Sequence, residues 1–179
     1  MTRKFLFAAL AATAVTTIPV VASPAYAETV PTATVVDAAV ASPDHTTLVA
    51  AVKAAGLVDT LNGTGPFTVF APTNAAFAKL SAGTVDTLLK PENKAMLTKV
   101  LTYHVVAGKV PAADLVAKIK ADGGSTTLTT VSGGKLTASL MGSTVMLKDE
   151  KGGTAHVTTA DLMAKNGVIH VTDAVSMPN

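Results

Sequence analysis

Residues 65–77 of the chain have the sequence GPFTVFAPTNAAF. Within this segment, residues 67–71 are predicted to form a short buried strand, because four of these five residues are apolar. Thr73 and Asn74 follow it, and either side chain can accept a hydrogen bond from a free amide at the start of a helix. We therefore predict a strand that turns sharply into a helix running to Leu80.

The apolar residues of this segment are interpreted as structural. Phe67, Val69 and Phe70 are expected to be buried, and each stabilises the fold by roughly 1.5–3 kcal/mol when it is fully removed from water. Pro72 presets its own backbone angle. Together with Thr73, it is expected to fix the corner between the strand and the helix.

On both sides of this segment, apolar residues at helical spacing and helix start and stop residues predict further helices. These are residues 34–41, a helix that begins at Asp44 or Thr46 and stops at Gly56, residues 91–101, and residues 111–122. Residues 103–106, with the sequence Tyr-His-Val-Val, are predicted to be extended.

From residue 126 onward, the apolar pattern changes to a period of two, which predicts strands. Gly-rich turns separate these strands, and Asp149 and Glu150 are predicted to lie at a solvated hairpin tip. Asn166 and Gly167 are predicted to form a tight turn before the last strand, residues 168–171. Helices followed by antiparallel hairpins indicate an α+β domain.

The N-terminus has the pattern of a secretory signal peptide. Arg3 and Lys4 precede an uncharged apolar run of about 17 residues, and Ala25-Tyr26-Ala27 places small residues at the cleavage positions. A membrane anchor is the alternative, but the run is at the short limit for spanning a bilayer. We predict a signal peptide at residues 1–27, a single domain at residues 28–179, and an exported protein, either periplasmic or secreted.

Composition excludes several classes of function. The chain has no Cys, so thiol catalysis and thiolate metal sites are excluded. It carries 14 Lys and Arg against 12 Asp and Glu; without Arg3 and Lys4 the count becomes 12 against 12. A neutral domain without a basic run has no electrostatic footprint for nucleic acid. We expect no nucleic-acid partner and, after cleavage, no membrane insertion.

Three segments together are similar to one known family. They are residues 65–77, residues 101–106 with Tyr103 and His104, and residues 166–175, which read NGVIHVTDAV and include His170. In content, order and spacing they resemble the fasciclin domain. The resemblance implies a β-wedge with helices packed around it, in which Asn166, Gly167 and His170 are mainly structural. Thr172 and Ser176 stand where the family usually has apolar residues.

The resemblance also implies a partner-binding patch, at Asp161-Leu162 and at Tyr103-His104. The alternative for the first pair is that Asp161 ends a strand or caps a turn while Leu162 fills the core. The alternative for His104 is a buried histidine whose ring nitrogens are hydrogen-bonded. The four His residues lack the spacing of a zinc motif, so no metal is expected.

The expected function is therefore an adhesion or matrix-interaction module that binds a protein or polysaccharide. No Gly-x-Ser-x-Gly motif and no phosphate-binding glycine loop occurs in the chain, and we predict neither an enzyme nor a cofactor. The alternative function is a carrier of a small apolar, carotenoid-like ligand, as some relatives of the family suggest. Five Met residues could form its surface, although ordinary core filling is the preferred explanation for them: Met96, Met141, Met146, Met163 and Met177.

Overall fold

The structure is a computed structural model, and it describes residues 32–81 and 83–179. The predicted signal peptide at residues 1–27 lies outside the described residues. In the part of the chain that the structure describes, no helix combines the length and the apolar character needed to cross a membrane.

The described residues form helices first and strands later, as the change of period predicts. The helices are α1 Val35–Ala41, α2 Thr46–Ala55, α3 Val58–Leu61, α4 Asn74–Ala78, α5 Thr84–Leu89, α6 Lys94–Tyr103 and α7 Ala112–Ala121, with 3-10 turns at Pro43–His45 and Pro91–Asn93. The strands are β1 Phe67–Pro72, β2 Val105–Ala107, β3 Ser125–Thr129, β4 Lys135–Met141, β5 Thr144–Lys148, β6 Thr154–Ala164 and β7 Gly167–Thr172.

All seven strands form one sheet in the order β2-β1-β7-β6-β5-β4-β3. Only β1 and β7 pair in parallel, and the other neighbouring strands are antiparallel. A bridge between Val106 and Thr130 brings the two ends of the sheet together, so the sheet is nearly closed. The predicted α+β class, a fasciclin-like β-wedge surrounded by helices, is confirmed.

The strand-to-helix corner forms as residues 65–77 predict. The Thr73 hydroxyl accepts a hydrogen bond from the Ala76 amide at 3.2 Å, so Thr73 is the N-cap of α4. Asn74 instead stabilises the start of α2, because its Oδ1 accepts from the Thr47 amide and its Nδ2 donates to the Pro43 carbonyl. The neighbouring residues Thr73 and Asn74 therefore stabilise the starts of two helices, α4 and α2.

The sheet separates two apolar clusters. The helical core contains buried residues of α1, α2, α6, β1 and β7, whereas the sheet core lies between α7 and the inner faces of β3, β4 and β5. Strand β1 contributes to both clusters, because Val69 and Ala71 face the helical core and Phe70 faces the sheet core. Every residue of β7 is buried, including Thr172.

The structure corrects the prediction that residues 103–106 are extended. Tyr103 is the last residue of α6, and the strand begins only at Val105. The His104 side chain explains the difference, because its Nδ1 lies 2.8 Å from the carbonyl oxygen of Val100 and satisfies a free acceptor at the helix C-terminus. This local hydrogen bond extends the helix through a β-prone sequence.

Three smaller predictions are also corrected. The two-residue loop between β6 and β7 is Lys165-Asn166, and Gly167 already belongs to β7. Asp149 is only 7% exposed, so it does not lie at a solvated tip. Core filling does not explain three of the Met residues, because their side chains are exposed: Met96, Met141 and Met163.

The first residue of β7 passes very close to β1. A Cβ atom added to Gly167 would overlap the carbonyl group of Phe67, the residue with which Gly167 pairs. A side chain at this position therefore pushes the two parallel strands apart, whatever its chemistry.

We predict that Gly167→Ala lowers the free energy of unfolding by about 3 kcal/mol, at the upper end of overpacking effects. Urea denaturation monitored by circular dichroism measures this change in the free energy of unfolding. Gly142→Ala is the control: Gly142 has a φ of 65° and open space around it, so only backbone strain of about 1 kcal/mol is expected. Equal losses in the two variants would contradict the close approach of β1 and β7.

Candidate functional site

The predicted site residues lie in two different environments. Asp161 and Leu162 are exposed on β6, whereas Tyr103 and His104 are buried where α6 meets β2. The structure therefore does not bring the four side chains together on one surface. Partner binding by Tyr103 and His104 stays a prediction, and from the interior they can act only by positioning surface residues.

The Asp161 surface, which we define as residues 158–163, is an interrupted part of β6. Strand β5 pairs with β6 only at residues 154–156, so residues 158–163 have a strand partner on the β7 side alone. The pairing with β7 shifts register between Thr159 and Leu162, and Asp161 has a φ of 59°. Such a bulge bends the strand and redirects its side chains. All six residues are exposed.

Asp161 has a structural role at the start of α7. Its Oδ1 accepts a hydrogen bond of 2.7 Å from the amide of Ala112, the first residue of that helix. Pro111 precedes the helix and supplies no side-chain cap. Asp161 therefore caps α7 from another strand, and its charge is favourable beside the positive end of the helix dipole.

His170 holds the loop that precedes α7. Its Nε2 donates to the Val110 carbonyl at 2.9 Å, and its Nδ1 accepts from the Asp161 amide at 3.4 Å. The Thr68 hydroxyl completes the contact, because it accepts from the Val110 amide and donates to the Gly108 carbonyl. Both ring nitrogens of His170 are thus engaged by the fold.

The Asp161 surface retains groups that are free to meet a partner. Asp161 Oδ2 has no hydrogen-bond partner within residues 32–81 and 83–179. Leu162 and Met163 are each 43% exposed, so the prediction that Leu162 fills the core is wrong. On one side, Leu162 borders a gap of about 20 Å³ against Ala38 and Ala39 of α1. A carboxylate that reaches towards α7 and an aliphatic side chain that borders α1 are therefore both exposed at consecutive positions of this strand.

Tyr103 connects α6 to the hairpins through its phenol group. The hydroxyl donates to the Lys135 carbonyl at 2.6 Å and accepts from the Glu150 amide at 3.2 Å. Burial raises the pKa of Tyr103, so the phenol stays neutral and remains a donor at physiological pH.

His104 is 3% exposed, and both of its ring nitrogens are hydrogen-bonded. Nδ1 donates to the Val100 carbonyl, so Nε2 is the unprotonated nitrogen that accepts from the Ser176 amide at 3.0 Å. The position of His104 agrees with the interpretation as a hydrogen-bonded core histidine.

Sequence reasoning missed the importance of Asp149 and Glu150. Asp149 Oδ1 accepts from the Gly153 amide, and its Oδ2 accepts from the Met177 amide at 2.9 Å. Glu150 accepts from the amides of Lys135 and Asn179. An Asp followed three residues later by a Gly pair is typical of a turn in which the side chain binds the backbone, and this was the available signal.

The described residues hold no cluster arranged as a metal site, and they border one apolar gap that bears on the carrier alternative. No group of three or more His, Cys, Asp or Glu side chains in residues 32–81 and 83–179 is arranged to hold a metal ion. An apolar gap lies between α1, α2 and β1, and its volume is about 30 Å³. Ligand pockets usually measure roughly 300–1,000 Å³, so a carotenoid-sized molecule requires this gap to open.

Comparison with known proteins gives one consistent result. The model of the Fasciclin domain matches residues 43–178. The protein sll1483 of Synechocystis is 49% identical over 149 residues, which are 81% of this chain and 73% of that protein. The cell surface glycolipoprotein MPB83 of Mycobacterium bovis is 64% identical over 53 residues, 30% of this chain and 23% of its own length.

A solved structure has the same fold. It is a FAS1 domain pair from the insect cell adhesion molecule fasciclin I, and it superposes with a TM-score of 0.71 at 22% identity. The match covers 81% of this chain and 51% of that chain.

We predict that Asp161→Ala lowers the free energy of unfolding by about 1 kcal/mol, because α7 loses its cap. Asp161→Asn is the matched control: it keeps an oxygen acceptor for the Ala112 amide and removes only the charge, so a much smaller loss is expected. Urea denaturation measures both variants. If Asn and Ala are equally destabilising, the hydrogen bond to Ala112 does not stabilise the helix.

We also predict that Tyr103→Phe destabilises the protein by roughly 1–3 kcal/mol, since the Lys135 carbonyl and the Glu150 amide lose their partner. Thr102→Ala is the neighbouring control, because the Thr102 hydroxyl bonds only to carbonyls of its own helix. It should change stability by about 0.5 kcal/mol or less. Thermal unfolding compares the two, and a Tyr103→Phe variant as stable as the wild type contradicts the prediction.

Proposed function

The chain belongs to the fasciclin domain family, and on that premise we propose that it is an exported adhesion or matrix-interaction module whose partner binds the Asp161 surface. The observation that carries the proposal is that Asp161 Oδ2 has no hydrogen-bond partner among the described residues, while the next two residues of the strand, Leu162 and Met163, are exposed. Among similar proteins, MPB83 is by name a cell surface protein and fasciclin I a cell adhesion molecule.

The Asp161 surface combines shape and chemistry suited to a protein partner. The aliphatic side chains of Leu162 and Met163 offer apolar area that is removed from water on contact. Asp161 is the only charged residue of residues 158–163, so it attracts a Lys or Arg of the partner. The surface contains no aromatic ring on which a sugar could stack. These features favour a protein over a polysaccharide.

The rigid setting of the Asp161 surface also supports a role in binding. Asp161 is fixed by the cap of α7 through Oδ1, and Oδ2 of the same carboxylate remains free. Its amide is held by His170, whose ring is itself anchored on Val110. A preorganised side chain loses little conformational entropy on binding, which improves affinity.

The histidines and buried carboxylates support binding rather than catalysis. The rings of His104 and His170 bond to backbone groups at both nitrogens, and Asp149 bonds to two backbone amides. His45 is not one of these groups: its Nδ1 contacts the Ser42 hydroxyl, but its buried Nε2 has no hydrogen-bond partner among the described residues. His104, His170 and Asp149 are the groups whose polar atoms are occupied. Groups engaged in this way serve the fold and are not poised for proton transfer to a substrate.

The partner is sought by passing cell-envelope and matrix extracts over the immobilised protein, and affinity is then measured by surface plasmon resonance. We predict that Leu162→Gln weakens binding about tenfold, equivalent to about 1.4 kcal/mol, and that Asp161→Asn weakens it without unfolding the protein. Val131→Gln is the control, because Val131 is similarly exposed but lies between β3 and β4.

Two outcomes would contradict the proposal. Equal affinity of Leu162→Gln and Val131→Gln would show that the partner binds elsewhere. If no macromolecule binds and solvent extraction of the purified protein yields a stoichiometric apolar compound, the carrier function replaces adhesion. Protease treatment of the extract separates a protein partner from a polysaccharide.

A further inference from the structure

The C-terminal segment, which we define as residues 176–179, contains no helix or strand but is tied to the domain by side chains. Four hydrogen bonds hold it. The Ser176 amide donates to His104 Nε2 at 3.0 Å, and the Met177 amide donates to Asp149 Oδ2 at 2.9 Å. The Asn179 amide donates to Glu150 Oε2 at 3.4 Å, and Lys99 Nζ donates to the Asn179 carbonyl at 2.6 Å. Three of the four groups that hold it are ionisable acceptors.

We infer that His104 is an acid-sensitive latch, which holds the C-terminal segment against the domain at neutral pH and releases it as the pH falls. The latch depends on a single nitrogen: the buried Ser176 amide donates to Nε2. This contact is local, so it can open without unfolding of the sheet.

The hydrogen-bond geometry requires a neutral ring. Nδ1 faces the carbonyl oxygen of Val100 and must carry the proton, so Nε2 must be unprotonated to accept from Ser176. Protonation at Nε2 would direct one N–H group at another. The closed segment therefore excludes the imidazolium form of His104.

The environment of His104 also favours the neutral ring. Burial lowers the pKa of His104, while the hydrogen bond to Val100 and the negative charge of Asp149 oppose this shift without cancelling it. When the segment detaches, the ring meets water and regains an ordinary pKa of about 6.5. The closed state is thus fully favoured above pH 6.5 and loses stability as the pH falls below it.

Other charged groups surround the latch. Asp149 faces His104 from the turn after β5, and Tyr103 packs edge-on against its ring. Glu150 and Lys99 bind the far end of the segment. Hydrogen bonds from the Lys135 and Asn179 amides lower the pKa of Glu150, so Glu150 stays ionised while a histidine titrates.

Release of the segment changes the surface of the helical core. Met177 and the preceding Val175 pack against that core in the closed state. Opening therefore uncovers apolar area on the α6 side of the domain. This area does not include residues 158–163, the Asp161 surface. The inference is independent of the proposed function.

Amide hydrogen exchange followed by NMR tests the latch in the full chain. We predict that the protection factors of Ser176 and Met177, corrected for intrinsic rates, fall by up to about tenfold between pH 7.5 and 5.5. The amides of β4, which pairs with a strand on each side, should keep their protection over the same range. Protection of Ser176 that is independent of pH would overturn the inference.

Three variants test whether titration of His104 causes the pH dependence of amide protection. His104→Gln cannot titrate, so its C-terminal segment should exchange equally at both pH values, whereas His156→Gln, which changes a half-exposed histidine, should behave like the wild type. Asp149→Asn keeps an acceptor for Met177 and should retain the pH dependence. If His104→Gln does not fold, the nitrogen shifts of His104 in the wild type decide: a protonated Nε2 at pH 7.5 contradicts the latch.

Discussion

The parallel contact between β1 and β7 is the constraint on which the other parts of the structure depend. Gly167 and Phe67 approach so closely that only a residue without a side chain fits, and Asn166 holds the entrance to this contact. The Asn166 carbonyl accepts from the Phe67 amide, its Oδ1 accepts from the Val35 amide at the start of α1, and its Nδ2 donates to the Leu61 carbonyl at the end of α3. Asn166 thus connects two strands through its backbone and two helices through its side chain, and loss of the side chain leaves the Val35 amide and the Leu61 carbonyl without this partner.

This pairing also positions the groups of the Asp161 surface. Because β1 and β7 are in register, Phe70 lies opposite His170 and their rings stack at 5.5 Å. His170 then anchors Val110, which sets the start of α7 where Asp161 can cap it. The position of the exposed Asp161 therefore depends on contacts that begin in the core, and the bulge in β6 is the place where a residue that caps α7 is also exposed.

Much of this architecture could be predicted from short-range signals. The corner at Thr73 and the period-two strands follow from residue types that act within a few positions, and the structure confirms them. Tyr103 and His104 could not be placed correctly, because their β-prone sequence competes with a hydrogen bond from the His104 side chain to Val100. The exposure of Leu162 and the burial of Asp149 depend on contacts between distant segments, which local patterns do not contain.

Under the proposed function, Asp161 is both an adhesion residue and a residue that stabilises the fold. One carboxylate oxygen of Asp161 stabilises α7, and the other has no hydrogen-bond partner in the part of the chain that the structure describes, so partner binding need not break the cap. The cap in turn fixes the carboxylate in the direction in which a cationic group would approach. If Asp161→Ala loses binding, the cause can be either the lost contact with the partner or the lost cap of α7. Asp161→Asn removes the charge but keeps an oxygen acceptor for the Ala112 amide, so it tests the contact alone. The division of roles between the two oxygens makes the function of this surface experimentally separable from its contribution to stability.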